Sequence, residues 1–143
     1  NKLKKDRYFQ CRATAIAQSC KTIGQLSQVP WFFENPVSGF SSIFGKPQHI
    51  FNPYEYGGYL AEDDEHPLWP KYIKAQDAYP KKTCLWSGNG FDMPKKKPVS
   101  IAPSYSDQYT KLGGKSLKTK NIRSATPRGF AQAIFEKYGE NNG

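Results

Sequence analysis

The residues of this chain best placed for chemistry are Glu34 and Asn35, which follow the apolar run 31–33 and precede Pro36. A bulky apolar run that stops at polar residues is typical of a buried strand leaving a sheet, and ligands in open α/β sheets bind beyond such strand ends. Pro36 holds Asn35 extended and has no backbone donor, which predicts a rigid polar tip. The hexapeptide therefore predicts a ligand site, with an ordinary turn as the alternative because Asn-Pro also opens turns.

The second feature with binding chemistry is the lysine-rich stretch 94–120, which contains Gly113-Gly114 and several tyrosines and prolines. Low hydrophobicity with many lysines predicts a mobile loop over 94–120. Basic side chains interleaved with aromatic ones can also bind a phosphate backbone and stack on bases. The candidate nucleic-acid-binding residues are Lys95, Lys96, Lys97, Lys111, Lys115, Lys118, Lys120 and Arg123, with Tyr105 and Tyr109 as interleaved aromatics.

The chain as a whole is strongly basic, with 21 Lys and Arg against 12 Asp and Glu and a formal net charge of +9. An excess of this size attracts polyanions through the summed field of the protein. Nucleic acid is therefore the expected partner, and a charge that serves solubility alone is the alternative.

A metal site is not predicted. The acidic run 62–65, followed by His66, could offer oxygens to magnesium, but consecutive carboxylates point in different directions, so a solvated acidic turn is favoured. The three cysteines, Cys11, Cys20 and Cys84, form no C-x-x-C pair, and only two histidines are present. This count supports neither a disulfide scaffold nor a zinc site, and Cys84 is interpreted as a small core residue.

The first half of the chain alternates helix and strand patterns. Apolar residues recur at helical spacing over 8–23, and Gly24 suits the end of that helix. Strands are predicted at 31–33, 50–51 and 82–86, and the segments between them contain many glycines and prolines.

The clearest predicted element closes the chain. Thr126 is a suitable N-cap, Pro127 suits the first helical position, and Gly139 suits the end of the helix. The apolar face of this helix consists of Phe130, Ala133, Ile134 and Tyr138.

Length and composition predict one domain over residues 1–143 with a small core and long connections. No run of about 18 apolar residues is present, so a soluble cytoplasmic protein without membrane contact is expected. Because the chain opens at Asn1 and enters a helix almost at once, it is expected to be a processed or partial polypeptide.

Three blocks follow one another along the chain: Glu34-Asn35-Pro36-Val37, Lys81-Lys82-Thr83-Cys84-Leu85-Trp86 and Arg123-Ser124-Ala125-Thr126-Pro127-Arg128-Gly129-Phe130-Ala131. In this order they resemble the C-terminal half of DNA cytosine-C5 methyltransferases, and most of all the methylase-like proteins encoded by bacteriophages. The resemblance implies an α/β fold, with a partial Rossmann-like methyltransferase sheet, flanking helices and long loops. It covers nearly the whole chain in order and is firm only in those blocks.

The resemblance also implies residue roles. Glu34 and Asn35 would hold the ring edge of a flipped cytosine, where a carboxyl group neutralises charge that builds on the ring during attack at C6. Thr126, Gly129 and Phe130 would lie near S-adenosylmethionine. The lysines of 94–120 would contact the phosphates of DNA.

Two family features are absent from these 143 residues. None of the three cysteines follows a proline, so the family's Pro-Cys nucleophile is missing, and so is the glycine-rich turn that binds the methyl donor. Pro36 also replaces the usual branched apolar residue. The chain alone is therefore expected not to transfer a methyl group, and an N-terminal half or a partner subunit is implied.

Two other functions remain open from the sequence. One is a noncatalytic DNA-binding or regulatory module that keeps the methyltransferase shape and the basic surface. The other is a structural or partner-binding protein of a virus that uses the aromatic segment 51–86 as its contact surface.

Overall fold

The structure is a computed structural model that describes residues 2–36, 39–102 and 107–139. Its residues group into two compact units. The first unit comprises Asn1–Ile50 and Lys82–Asp92, and the second comprises Phe51–Lys81 and Met93–Gly143. The length of the chain predicts one core, whereas in the structure each unit has its own set of buried side chains.

The first unit consists of a long helix and a small sheet. Its elements are α1 (Lys2–Ser27), β1 (Trp31–Pro36), α2 (Ser41–Phe44), β2 (His49–Phe51, whose last residue counts with the second unit) and β3 (Thr83–Gly88). The strand order is β1-β3-β2, and β1 runs antiparallel to β3 with Trp31 opposite Gly88 and Pro36 opposite Thr83. All three predicted strands are therefore confirmed, whereas the single helical turn of α2 was not predicted.

The mixed α/β character of the fold is confirmed, but a Rossmann-like sheet is not. Such a sheet is mostly parallel, whereas the described strands form a small antiparallel sheet. Glu34 and Asn35 also lie inside β1, opposite Leu85 and Cys84, and not on a polar tip beyond the strand. The described strand extends through Pro36, three residues beyond the predicted range 31–33, and Val37 lies outside the described residues.

The end of α1 differs from the sequence prediction. The helix continues past Gly24 to Ser27, so Gly24 is not its terminator. A Cβ added at Gly24 would collide with the Trp31 side chain. It would lie only 2.6 Å from the Trp31 Cβ and even closer to two carbons of the indole ring. Gly24 is thus an interior helix residue that lets the first residue of β1 pack directly on the helix backbone.

One face of the sheet in the first unit is aromatic. Phe33 stacks on Trp86 with ring centroids 5.6 Å apart, and the Phe44 ring of α2 meets Phe33 edge-on at 5.1 Å. The Trp86 indole donates a hydrogen bond to the Gly45 carbonyl at 3.0 Å, which fixes the loop after α2. Cys84 is buried as predicted.

The second unit consists of short helical elements. They are a 3-10 segment (Pro53–Tyr59), a 3-10 turn (Ala75–Asp77), α3 (Asp107–Lys111), α4 (Leu117–Ser124) and α5 (Arg128–Ile134), which continues as a π-helical turn (Phe135–Gly139). The rings of Phe51 and Phe130 stack at 4.2 Å, and Tyr56 meets both edge-on. A second cluster joins Ile73, Tyr79, Leu112 and Ile122.

The stretch predicted as a mobile basic loop contains regular structure. Around Lys97 the chain is extended along the 3-10 segment, because the Lys97 N–H donates to the Glu55 carbonyl at 3.0 Å and the Gly58 N–H donates to the Lys97 carbonyl at 2.8 Å. The helices α3 and α4 follow, while Tyr105 lies outside the described residues. The mobility of 94–120 stays a prediction.

Candidate functional site

The predicted site residues are divided between the two units. Glu34 and Asn35 are half-buried residues of β1 in the first unit. The predicted donor-binding residues Thr126, Gly129 and Phe130 belong to the second unit, as do all eight candidate nucleic-acid-binding residues.

Gly129 and Phe130 are structural residues in the second unit. The Phe130 ring is only 2% exposed because it stacks on Phe51, so it would have to leave the core to contact a methyl donor. Gly129 is also buried, and a Cβ there would clash with the Tyr56 carbonyl group. Thr126 is exposed. Two of the three residues that the resemblance assigns to S-adenosylmethionine therefore do not fit that role in this geometry.

The start of α5 is stabilised by a residue that the sequence did not reveal. Pro127 occupies the N-cap position without a side-chain cap, so the prediction of Thr126 as N-cap is wrong by one residue. The capping oxygen belongs to Asp77, whose carboxylate accepts a hydrogen bond from the Gly129 N–H at 2.8 Å and another from the Arg128 N–H. A distant carboxylate thus satisfies N–H groups that a helix start leaves unpaired.

Asp77 is held in an unusual environment. It is 2% exposed, and burial raises the pKa of its carboxyl group despite the hydrogen bonds from α5. Both Gln76 and Asp77 have positive φ, 53° and 49°, in the left-handed region that non-glycine residues rarely occupy. The Gln76 side chain donates to the Leu60 carbonyl at 3.1 Å, which helps to hold this turn.

Asp64 is the inward-facing member of the acidic run 62–65. Its carboxylate binds the Arg128 guanidinium through two hydrogen bonds, at 2.7 and 3.1 Å, and accepts a third from the Gln76 N–H at 3.2 Å. Burial alone would raise the pKa of Asp64, but the hydrogen bonds and the charge of Arg128 outweigh it, and the pKa is lowered. The predicted solvated turn is correct for the exposed Glu62, Asp63 and Glu65 and wrong for Asp64.

His66 is buried next to this pair. Its Nδ1 accepts hydrogen bonds from the backbone N–H groups of Leu68 at 3.2 Å and Trp69 at 3.0 Å, and its ring stacks on Trp69. Burial lowers the pKa of His66, the charge of Arg128 lowers it further, and Asp64 opposes both. The folded protein therefore favours neutral His66 with the proton on Nε2.

A pH effect on stability follows from His66. Because its folded pKa lies below its ordinary value of 6.5, its stabilising contribution is complete above pH 6.5 and is lost as the pH falls toward the folded pKa. We expect the free energy of unfolding to decrease with a slope of up to about 1.4 kcal/mol per pH unit in that window. Urea titrations between pH 7.5 and 5.5 measure this slope.

The matched control is His66→Asn. The Asn Oδ1 can accept the same two backbone N–H groups but does not titrate, so this variant should have a flatter pH profile. If the free energy of unfolding decreased equally with pH in the wild type and in His66→Asn, His66 would not be the source of the pH dependence.

The basic segment, residues 95–123, contains eight Lys and Arg side chains and one acid, Asp107. All eight basic residues are exposed. Lys96 forms an ion pair with Glu55 at 2.6 Å, and the Arg123 guanidinium donates to the Leu112 carbonyl at 3.0 Å.

Two lysines of the basic segment lie over aromatic rings. The ammonium group of Lys97 is 4.2 Å from the Tyr59 ring centroid, and that of Lys118 is 5.3 Å from the Tyr72 ring centroid. Tyr72 is half-buried and packs against the Ile73 cluster, which holds its ring in place. Tyr59 and Tyr72 lie far from the basic segment along the chain. Of the aromatics predicted from the sequence, Tyr105 lies outside the described residues, and the role of Tyr109 stays a prediction.

The described residues contain neither a cluster of metal ligands nor a membrane-spanning helix. Within 2–36, 39–102 and 107–139, no three His, Cys, Asp or Glu side chains come together in a way that could hold a metal ion. Among the helices of those ranges, none has both the length and the apolar character needed to cross a membrane.

The second unit therefore carries the exposed basic segment, two of whose lysines lie over aromatic rings, while the first unit carries the half-buried Glu34 and Asn35. No family model matches this chain, and neither does any curated protein or solved structure.

Proposed function

We propose that this chain is the nucleic-acid-binding part, or one subunit, of a DNA methyltransferase-like protein that acts in the cytoplasm, the host's if the protein is viral. The observation that supports it most is the exposure of all eight basic side chains of the basic segment, which contains a single acid. Such a surface attracts the phosphate backbone and releases its counterions on binding.

The neighbouring rings restrain two lysines of the basic segment. A lysine held over a tyrosine face can still contact a phosphate. Lys97 with Tyr59 and Lys118 with Tyr72 both have this arrangement. Lys96 should contribute less, because Glu55 already compensates its charge.

The methyltransferase part of the proposal depends on sequence that these residues do not supply. Glu34 would stabilise a flipped cytosine only next to a Pro-Cys nucleophile, and the small sheet would be completed to a Rossmann-like one by upstream sequence or by a partner subunit. Gly129 and Phe130 pack in the core and do not offer a site for S-adenosylmethionine.

The core roles of Gly129 and Phe130 also favour a second candidate function, a noncatalytic DNA-binding module. The two candidates differ in Glu34. In a module, Glu34→Ala leaves DNA affinity unchanged, whereas in a methyltransferase it weakens binding to a duplex with an unpaired cytosine.

The basic segment is tested by neutralising two of its lysines. Lys115→Gln with Lys118→Gln should lower the affinity for a short DNA duplex at low salt roughly tenfold or more, and should reduce the slope of log K against log salt by about two. Fluorescence anisotropy with a labelled duplex measures both quantities.

The matched control removes two exposed lysines from the first unit, Lys46→Gln with Lys82→Gln. This pair changes the net charge equally and should leave the salt slope nearly unchanged. Equal losses in both double variants would mean that net charge, and not the basic segment, determines binding.

A further inference from the structure

A small pocket in the first unit lies on the aromatic face of the sheet. Its volume is about 270 Å³, and its lining includes Trp31, Phe33 and Trp86 from the strands and Lys21 and Gln25 from α1. A volume just below the roughly 300 Å³ at which ordinary ligand pockets begin suits a group no larger than a nucleoside.

The aromatic rings of this pocket are stacked on one another. The ring of Phe33 lies at 13° to both Trp31 and Trp86, with centroid distances of 6.0 and 5.6 Å, so neighbouring rings overlap partly face to face. The parts of such rings that border the cavity can contact another planar aromatic group.

The Trp31 indole also brings a polar group to this wall. Its Nε1 is buried and has no hydrogen-bond partner among the described residues. A Cβ at Gly88, another lining residue, would lie only 2.8 Å from Nε1, so glycine lets the indole edge lie close to the strand. An unpaired buried donor is unfavourable, which favours an acceptor in the pocket that reaches Nε1 after a small shift of the wall.

The polar rim of the pocket offers both a hydrogen-bond donor and a hydrogen-bond acceptor, on side chains that are held by other hydrogen bonds. Gln48 Oε1 accepts from the Ser87 N–H at 2.9 Å, which leaves the Gln48 amide as a donor. Asn89 Nδ2 donates to the carbonyls of Gly24 and Val29, at 2.7 and 3.1 Å, which leaves the Asn89 oxygen as an acceptor. Side-chain amides with adjacent donors and acceptors match the edges of nucleobases, and Lys21 adds a cation at the rim.

From this geometry we propose that the pocket binds a single purine or pyrimidine ring. The ring packs on the wall of Trp31, Phe33 and Trp86, its edge bonds to Gln48 and Asn89, and Lys21 attracts the attached phosphate. None of the residues that line this pocket belongs to the basic segment. The proposal of a base pocket therefore does not depend on the proposed DNA contact.

The test measures binding of adenosine and uridine monophosphates by calorimetry, with ribose 5-phosphate as the probe that lacks a base. We expect saturable binding of at least one nucleotide and none of the sugar phosphate. Gln25→Phe, an exposed substitution at the pocket, should weaken nucleotide binding at least tenfold. Ser19→Phe, an exposed position on the opposite face of the same helix, should change it less than twofold.

A short oligothymidine distinguishes the two sources of the base when its affinity is compared with and without Gln25→Phe, because the basic segment also attracts a strand. Binding tighter than that of uridine monophosphate and weakened at least tenfold by Gln25→Phe assigns the pocket to a base of a strand. Oligothymidine binding that Gln25→Phe leaves unchanged, beside nucleotide binding that it weakens, assigns the pocket to a free nucleotide. The proposal is overturned by absence of saturable nucleotide binding up to about 10 mM. Equal affinity for ribose 5-phosphate, or equal effects of the two phenylalanine substitutions, also overturns it.

Discussion

Replacement of Asp77 by alanine is expected to lower the free energy of unfolding by about 2–4 kcal/mol. The Asp77 carboxylate is 2% exposed and accepts hydrogen bonds from the N–H groups of Arg128 and Gly129 at the start of α5. Alanine would leave a buried N–H of Gly129 unpaired, and it tolerates the left-handed backbone at position 77 less well than Asp does. Urea denaturation at pH 7 measures the loss.

The informative control is Asp77→Asn. Asparagine keeps an oxygen for the Gly129 N–H, tolerates positive φ and carries no charge. Because the raised pKa of Asp77 means that its ionised form destabilises the fold at neutral pH, the asparagine variant should be at least as stable as the wild type there. An alanine variant within about 0.5 kcal/mol of wild type would contradict the capping role.

Gly129→Ala is expected to lower the free energy of unfolding by about 3 kcal/mol or more. A Cβ at this position would lie 2.9 Å from the Tyr56 carbonyl carbon and even closer to its oxygen. These are backbone atoms, so no flexible side chain can move to relieve the clash. The clash must also exceed the gain of about 1 kcal/mol that alanine brings to a helix interior.

Gly113→Ala is the matched control in the same unit. A Cβ at Gly113 meets no atom within 4 Å, and its φ is not positive. This variant should unfold within about 0.5 kcal/mol of the wild type in thermal or urea denaturation. If Gly129→Ala were equally harmless, the close approach of α5 to the 3-10 segment would be wrong.

Elements whose signal is local could be predicted from the sequence. The apolar runs at 31–33 and 82–86 are strands, and the Thr-Pro pair precedes a helix within one residue of its observed start. The antiparallel pairing of β1 with β3 could not be predicted, because it joins segments about 50 residues apart whose patterns do not specify direction. Gly24 was wrongly predicted to end α1 for a similar reason. A glycine is required there by its close contact with Trp31, which the sequence around Gly24 does not show.

The positive charge of the candidate site could be predicted from the sequence, but the residues that surround it could not. Exposure of the basic segment follows from its composition, but its aromatic neighbours, Tyr59 and Tyr72, come from another part of the chain. Asp77 and Asp64 had no local signal, because their partners Gly129 and Arg128 are 52 and 64 residues away.

The methyltransferase resemblance assigned Gly129 and Phe130 to the binding of a methyl donor. Core contacts are sufficient to explain both residues: the Tyr56 carbonyl leaves room only for glycine at position 129, and Phe51 provides a stacking partner for the large ring of Phe130. What the resemblance and the geometry have in common is an exposed basic segment.

The affinity of the full chain for a short DNA duplex as a function of salt tests this central claim most directly. Each phosphate contact adds about −0.9 to the slope of log K against log salt. We predict measurable binding at about 50 mM salt and a slope of about −3 or steeper, because eight exposed basic residues lie in the basic segment. Undetectable binding at that salt concentration, or a slope near zero, would contradict the account.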